Sequence, residues 1–366
     1  MCGGDSCPPL LTSLLTVSVI IPARNEEACL GACLESLVAQ SGVAFEIVLV
    51  DDHSTDRTRE IASSFPHVRV IDPAPLPAGW TGKNNAVTAG ARAAQGDWLL
   101  FTDADTVHLP GSLARSLAEV RERGVDLLSY SPRQIVKTCW EKAVMPVIFA
   151  ELAATYRPAD VSNPRSRAAA ANGQYILVSR DAYDAVGGHA SVASDLLEDV
   201  ALARAIKHSG RAIFFRYGGD AVQTRMYRDF AQLREGWTKN LAALFASPAR
   251  LAIQRSMEFF LIAAGVGTSV VEVQRGHWIP GFLATALAVT LYGLFFRRIR
   301  RAHFNWDANL FAFAGLPLFS CLLLRSARAY RRGDVSWKGR HYGGTKPRPE
   351  SPQERNLSES GNLAME

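Results

Sequence analysis

The sequence has no G-x-x-x-x-G-K-[ST] loop and no G-x-G-x-x-G fingerprint, which excludes a P-loop and disfavours a dinucleotide cofactor. It has no H-E-x-x-H helix and no G-x-S-x-G elbow, so neither a zincin nor a Ser-His-Asp hydrolase is expected. Six cysteines are too few and too scattered for a disulfide framework. Cys29 and Cys33 lie four apart but lack partners at zinc-site spacing, and read as small buried thiols. His53, His108 and His189 fit no metal-ligating pattern. There is no internal repeat, no G-X-Y period and no basic stripe interleaved with aromatics, so collagen is excluded and a nucleic-acid partner is not expected. The N-terminus carries Asp5 and no basic run, so a secretory signal is not expected either.

What is present is uneven. The 366 residues are 48% hydrophobic and 20% charged, which suits a large α/β domain with an appendage. Residues 1–15 read as a lead-in, 16–245 as a soluble catalytic domain, 246–330 as a membrane region and 331–366 as a polar, disordered tail. The net charge of +5 is concentrated in arginines beside the apolar stretches, including Arg297, Arg298, Arg300 and Arg301, a placement that suits lipid headgroups.

Val17–Ile21 is a β-branched run stopped by Pro22, and Phe45–Val50, Val68–Ile71 and Trp98–Thr102 are further strand signals. Helical patterns separate them at 26–40, 55–65 and 84–94. This alternation predicts an α/β fold with a doubly wound, mostly parallel sheet, in which ligands bind beyond the carboxyl ends of the strands. The chemically loaded residues fall at those ends: Pro22-Ala-Arg-Asn-Glu26, then Asp51-Asp52, then Asp103-Ala-Asp105.

Asp103 and Asp105, at i and i+2, suit one hard divalent cation such as Mg2+ or Mn2+ that keeps positions for substrate phosphates. A solvated Asx turn is the plainer reading of the same pair. Asp51 and Asp52 read either as a turn with an N-cap or as hydrogen-bond acceptors for a base or ribose. Lys83 opens a helix where a phosphate would meet it. Glu198 and Asp199 either complement a helix dipole or supply a general base facing a cleft. Trp237 reads as a stacking surface or as a membrane-interface anchor.

Val17-Ser-Val-Ile-Ile-Pro-Ala-Arg-Asn-Glu-Glu27, Val50-Asp-Asp-His-Ser-Thr-Asp56, Thr102-Asp-Ala-Asp105 and Glu198-Asp199, in this order, resemble family 2 glycosyltransferases of the GT-A fold. Gly79-Trp-Thr-Gly-Lys83, Asn172-Gly-Gln174, Arg225-Met-Tyr227, Gly236-Trp-Thr-Lys-Asn240 and Trp337-Lys-Gly-Arg340 resemble the membrane-attached branch with hopanoid- and carotenoid-associated members. The resemblance implies a nucleotide-sugar donor, a divalent metal and inversion at the anomeric carbon. By the same resemblance Pro22, Arg24, Asn25 and Glu26, with Asp51 or Asp52, hold the nucleoside, and Lys83 and Asp103 lie near ribose and diphosphate. Asp105, with Asp103, holds the metal; Asp199 is the base with Glu198 in support; Asn172, Gly173, Arg225 and Trp237 fall on the acceptor side. Processive members carry Q-x-x-R-W. Here Gln232-Leu-Arg-Glu-Gly-Trp237 has the tryptophan one residue late and no arginine before it, which favours a single transfer.

Three apolar stretches follow, at about 257–274, 276–296 and 308–324. Gly276–Phe296 lacks Asp, Glu, Lys and Arg and is long enough to span roughly 30 Å of hydrocarbon; the arginines that close it mark a cytoplasmic end. With a cytoplasmic catalytic domain, three crossings would leave Arg325–Arg340 outside, against the charge rule, unless the third stretch is re-entrant or interfacial. The expectation is thus a multi-pass cell-membrane enzyme that moves a sugar from a nucleotide-sugar donor to a lipid or lipid-linked hydroxyl. A nucleotidyltransferase acting on a sugar phosphate, or a non-catalytic membrane scaffold of the same fold, would use part of the same sequence pattern.

Overall fold

The computed structural model describes residues 16–342. The expected lead-in and the tail beyond 342 lie outside the described residues. The chain begins with β1 (Val17–Ala23), α1 (Leu30–Val38), β2 (Phe45–Asp51), α2 (Thr58–Ser63), β3 (Val68–Ile71), α3 (Gly82–Ala93) and β4 (Trp98–Phe101). It continues through β5 (Thr106–His108), α4 (Ser112–Arg123), β6 (Leu127–Ser131), β7 (Arg133–Gln134), α5 (Cys139–Thr155), α6 (Pro158–Ser162), β8 (Ile176–Ser179), α7 (Arg180–Ala185) and α8 (Glu198–His208). Last come β9 (Ile213–Tyr217), β10 (Val222–Thr224), α9 (Phe230–Leu244), α10 (Pro248–Gln274), α11 (Trp278–Ile299), α12 (Trp306–Arg332), β11 (Ser336–Trp337) and β12 (Arg340–His341).

Seven strands form one sheet in the order β3-β2-β1-β4-β8-β6-β9. β1 to β4 run parallel, and β8 is antiparallel to both its neighbours. Alternation along β1 puts Val17, Val19 and Ile21 in the core shared with α1 and α4, and Ile20 in the core shared with α3 and α8. The central strands are covered on both faces, so their carboxyl ends are the edge left for chemistry. A small sheet, β5-β10-β7, closes over that edge.

A third core joins α5 and α9 to α10, α11 and α12 through residues such as Trp237, Leu241, Leu316 and Phe319. α10 is 27 residues long, so the apolar stretch read from 257 is the later part of a helix beginning at Pro248. The helix passes through its charges because they are paired: Arg255 meets Glu151 at 3.0 Å and Glu258 at 2.8 Å, and Arg298 of α11 also binds Glu258.

The polar region expected from residue 331 differs as well. α12 ends at Gly333, whose φ of +66° closes the helix. Lys338 and Gly339, both at positive φ, then turn β11 into β12. Two consecutive positive-φ residues are the geometry of a tight hairpin. The hairpin is ordered because its tip is tied to the catalytic domain: Lys338 to Glu26 and Arg340 to Asp52.

Candidate active site

The strand ends bound a cavity of about 1190 Å³. On the donor side, the loop after β1 and the loop after β2 are laced together. The Asn25 carboxamide accepts from the Thr55 N–H at 2.8 Å, the Glu26 N–H donates to Thr58 Oγ1 at 2.7 Å, and Arg24 donates to the Asp52 carbonyl at 2.7 Å. Asn25 sits at φ +54°, a left-handed conformation that asparagine tolerates and that this lacing holds. Pro22, Arg24, Asn25, Glu26 and Asp52 all line the cavity. Asp51 does not. Its carboxylate accepts from the Ser54 N–H and pairs with Arg59 at 3.1 Å, so it shapes the turn.

Thr81 caps α3, accepting from the Asn84 N–H, and so sets Lys83 in the first turn facing the cavity. The Lys83 ammonium bridges Asp103 at 2.7 Å and Glu198 at 2.8 Å. Desolvation deep in the cavity opposes its charge, but Asp103 and then Glu198 outweigh that and hold its pKa well above the ordinary lysine value. The residue read as a phosphate contact is therefore also the cation that joins the metal candidate to the catalytic candidate.

Asp105 lies two residues on. Its pKa is pushed up to about 7, first by desolvation and then by the charges of Asp103 and Glu26. Such crowded carboxylates are relieved by a divalent cation. Among the described residues no three His, Cys, Asp or Glu side chains converge into a cage. Two carboxylates and an open side suit Mg2+ or Mn2+, which keep most positions for water and phosphate oxygens. The donor set therefore fits the cation expected from the sequence.

Glu198 and Asp199 open α8. Burial pushes the Glu198 carboxyl up, but Lys83 more than offsets it and the group lies below its usual range. Asp199 goes the other way, to about 6, through desolvation and then the charge of Glu198. Its oxygens accept from the Gly173 N–H at 2.9 Å and the Val200 N–H at 2.8 Å. Gly173 allows this closeness, since a Cβ there would stand 3.1 Å from Lys83 Nζ and 3.5 Å from both carboxylates. Two adjacent acids are thus driven apart, one kept ionised and one poised near neutrality, the arrangement an acid–base pair requires.

The cavity lining also includes apolar side chains: Phe149 and Leu152 of α5, Tyr156 just after it and Leu244 of α9, with Ala302 shortly after α11. Asn172, Gly173, Arg225 and Trp237 all line it too. Arg225 is forked onto Glu141 at 3.0 and 3.1 Å, which locks β10 to α5. Trp237 is buried between Phe149 and Tyr227, so it is a wall of the cavity and not a membrane-interface anchor. His108 and His189 are buried and held neutral by desolvation, with pKa values near 3 and 4; both pack in the core.

Residues 18–187 match the family described as Glycosyl transferase family 2. A 4,4'-diaponeurosporenoate glycosyltransferase of Staphylococcus aureus (strain MRSA252) is 29% identical over 341 residues, covering 89% of this chain and 88% of that protein. Residues 18–187 thus carry a glycosyltransferase family 2 domain, and the chain is similar to that glycosyltransferase over most of its length. Its fold is the GT-A arrangement followed by three long apolar helices. Among solved structures, a mannosyltransferase from Pyrobaculum calidifontis in complex with GDP-Man and Mn2+ covers 86% of each chain at 17% identity and a TM-score of 0.49, a likeness too distant to bear on ligands.

Several residues of this glycosyltransferase's cavity escape a reading of the sequence. Gln174 donates to Thr224 Oγ1 at 3.2 Å and reaches Asp105 at 3.5 Å, steadying the acid from the side. Lys239 of α9 lines the cavity near Glu198, Asp199 and Asp103, with its pKa lowered by desolvation. Lys338 and Arg340 reach loops about three hundred residues earlier in the chain. The Asn172-Gly-Gln174, Gly236-Trp-Thr-Lys-Asn240 and Trp337-Lys-Gly-Arg340 resemblances touched these stretches but gave none of the four residues a role.

Proposed function

We propose that this glycosyltransferase moves a single sugar from a nucleotide-sugar donor to an oxygen of a lipid acceptor, with inversion and with a divalent cation at Asp103 and Asp105. The observation that carries this reading is the continuity of the cavity. One cavity is lined by the polar loops after β1 and β2, by Asp105 and Asp199, and by apolar side chains such as Phe149 and Leu152 of α5 and Trp237 and Leu244 of α9, with Glu235, Lys239 and Asn240 of α9 beside them. A sugar nucleotide fits the first part and a long apolar acceptor the second, so C1 of the sugar would lie between them.

In this reading Asp52 and the Pro22–Glu26 loop orient the nucleoside, while Lys83 keeps Glu198 ionised beside the base. The cation, when bound, neutralises charge on the departing diphosphate. Asp199 takes the proton of the acceptor hydroxyl as that oxygen bonds to C1; the C1–O bond to the diphosphate breaks with its electron pair, and a nucleoside diphosphate leaves. A carboxyl with a pKa near 6 is mostly ionised at neutral pH and still accepts a proton, which suits a general base. The test is product analysis with purified protein, Mn2+ and a panel of nucleotide sugars. Nucleoside diphosphate and lipid-borne sugar in equal amounts are expected; pyrophosphate would instead indicate a nucleotidyltransferase.

One observation favours a second reading of the acceptor group. Lys239 stands deep in the cavity with no ion pair among the described residues, its cation only 5.8 Å from the Trp337 ring. The Staphylococcus relative is named for an -oate, the anion of an acid. A carboxylate needs no base but welcomes a cation. With a carboxylate acceptor, Lys239→Met would raise the acceptor KM and Asp199→Asn would leave much of the rate; with an alcohol the reverse is expected.

A further inference from the structure

We infer that α12 does not cross the membrane but lies along its surface, so that only the α10–α11 hairpin enters the bilayer and the chain returns to the side on which the catalytic domain sits. This holds whatever the acceptor. By length and composition α10, α11 and α12 each qualify as a span. Their surroundings differ. Of the most apolar window, 6% is buried in α10, 17% in α11 and 44% in α12.

Both ends of α12 are fastened to the same catalytic domain. At its start, Asp307 pairs with Lys142 at 2.7 Å, and Asn305 accepts from Arg133 of β7 at 3.1 Å. At its end, Ser326 donates to the Thr238 carbonyl and Tyr330 to the Lys239 carbonyl at 2.7 Å, both on α9. A few residues on, Lys338 and Arg340 reach the nucleoside loops. A helix whose two ends touch one water-facing domain cannot have the bilayer between them. Its middle is also seated. Gly315 lies so close to α5 that a Cβ there would run into the Ala143 carbonyl.

The opposite side of α12 is an unbroken apolar stripe. Trp306, Leu310, Pro317, Cys321 and Leu324 are exposed, at helical spacing over the length of the helix. Trp306 is 73% exposed, Leu310 51% and Leu324 46%. Arg325, Arg328, Arg331 and Arg332 follow in the last turns. One apolar face with a cationic end is the composition of a helix that lies in the headgroup boundary of an anionic leaflet. α10 and α11 also carry exposed apolar side chains, among them Phe260, Leu261, Phe282 and Leu283. This arrangement also keeps the arginine-rich end of α12 on the domain's own side, which removes the charge conflict raised by three crossings.

The test uses the full chain with an epitope at each terminus in sealed vesicles. Protease should digest both epitopes or spare both; one digested and one spared would mean an odd number of crossings and would overturn the inference. A second measurement reads α12 itself, with nitroxides at Trp306→Cys and Leu324→Cys, each in a variant whose other cysteines are replaced. These positions share a face and lie about 27 Å apart along a helix. Equal, shallow depths by oxygen and nickel accessibility are expected; depths differing by more than about 15 Å would overturn the inference.

Discussion

The two ends of the cavity are built on different terms. The end proposed to hold the donor rests on the sheet: its side chains leave the carboxyl ends of β1, β2 and β4, and neighbouring loops fix them by hydrogen bonds to backbone groups. The end proposed to take the acceptor rests on helices that meet in the third core, where α5 and α9 are held by α12 and by ion pairs such as Glu141 with Arg225. A strand end has one geometry once its sheet has formed. A chamber between helices depends on every helix that bounds it, so the acceptor end should yield first to distant changes.

The largest expected effect at the donor end is Asp105→Asn. Loss of the carboxylate proposed to hold the cation should remove about 3–4 kcal/mol of charge stabilisation, or roughly a hundredfold to a thousandfold in turnover. Its Mn2+ dependence should weaken while thermal stability holds, as a titration of rate against Mn2+ would show. Near-normal turnover would reduce Asp105 to a turn residue.

Lys83→Met tests the joint between the ends. It leaves Glu198 buried beside Asp103 with no cation between them, and breaking such a pair costs about 3 kcal/mol, the low end because Lys83 is partly exposed. A lowered unfolding midpoint that Lys83→Arg partly restores is expected by denaturant titration. No change in midpoint would show that the acids do not depend on Lys83.

Gly315→Ala is the smaller and sharper probe of the acceptor end. Pushing α12 off α5 should cost about 1–2 kcal/mol and raise the acceptor KM with donor affinity unchanged. An equal loss of donor affinity would mean that the two ends are not mechanically separate.

The same contrast governs what can be read from the sequence. Short β-branched runs followed by acids locate the donor edge, because strand ends and ligand edges coincide in such sheets. The alternation of a strand sends Asp51 and Asp52 opposite ways, but only the assembled sheet shows that Asp52 faces the cavity and Asp51 meets Arg59. α5 carries no local sign of lining an active site; Phe149 and Leu152 stand in a plain apolar run. Lys338 and Arg340 sit in a polar stretch whose order comes from partners far away in the chain. Contacts of that range leave no periodicity behind.

A paired measurement on Asp199→Asn tests most directly whether the two ends meet at Asp199. Donor affinity by calorimetry is set against the rate of sugar transfer to an alcohol acceptor from pH 5 to 8. In the wild type the rate should rise about tenfold per unit of pH below about 6 and level off above it, as the Asp199 carboxyl loses its proton. The variant should bind donor with near-normal affinity and transfer roughly a hundredfold to ten-thousandfold more slowly, without that rise. Persistent transfer with a collapse of donor affinity would make Asp199 a donor contact and contradict the account.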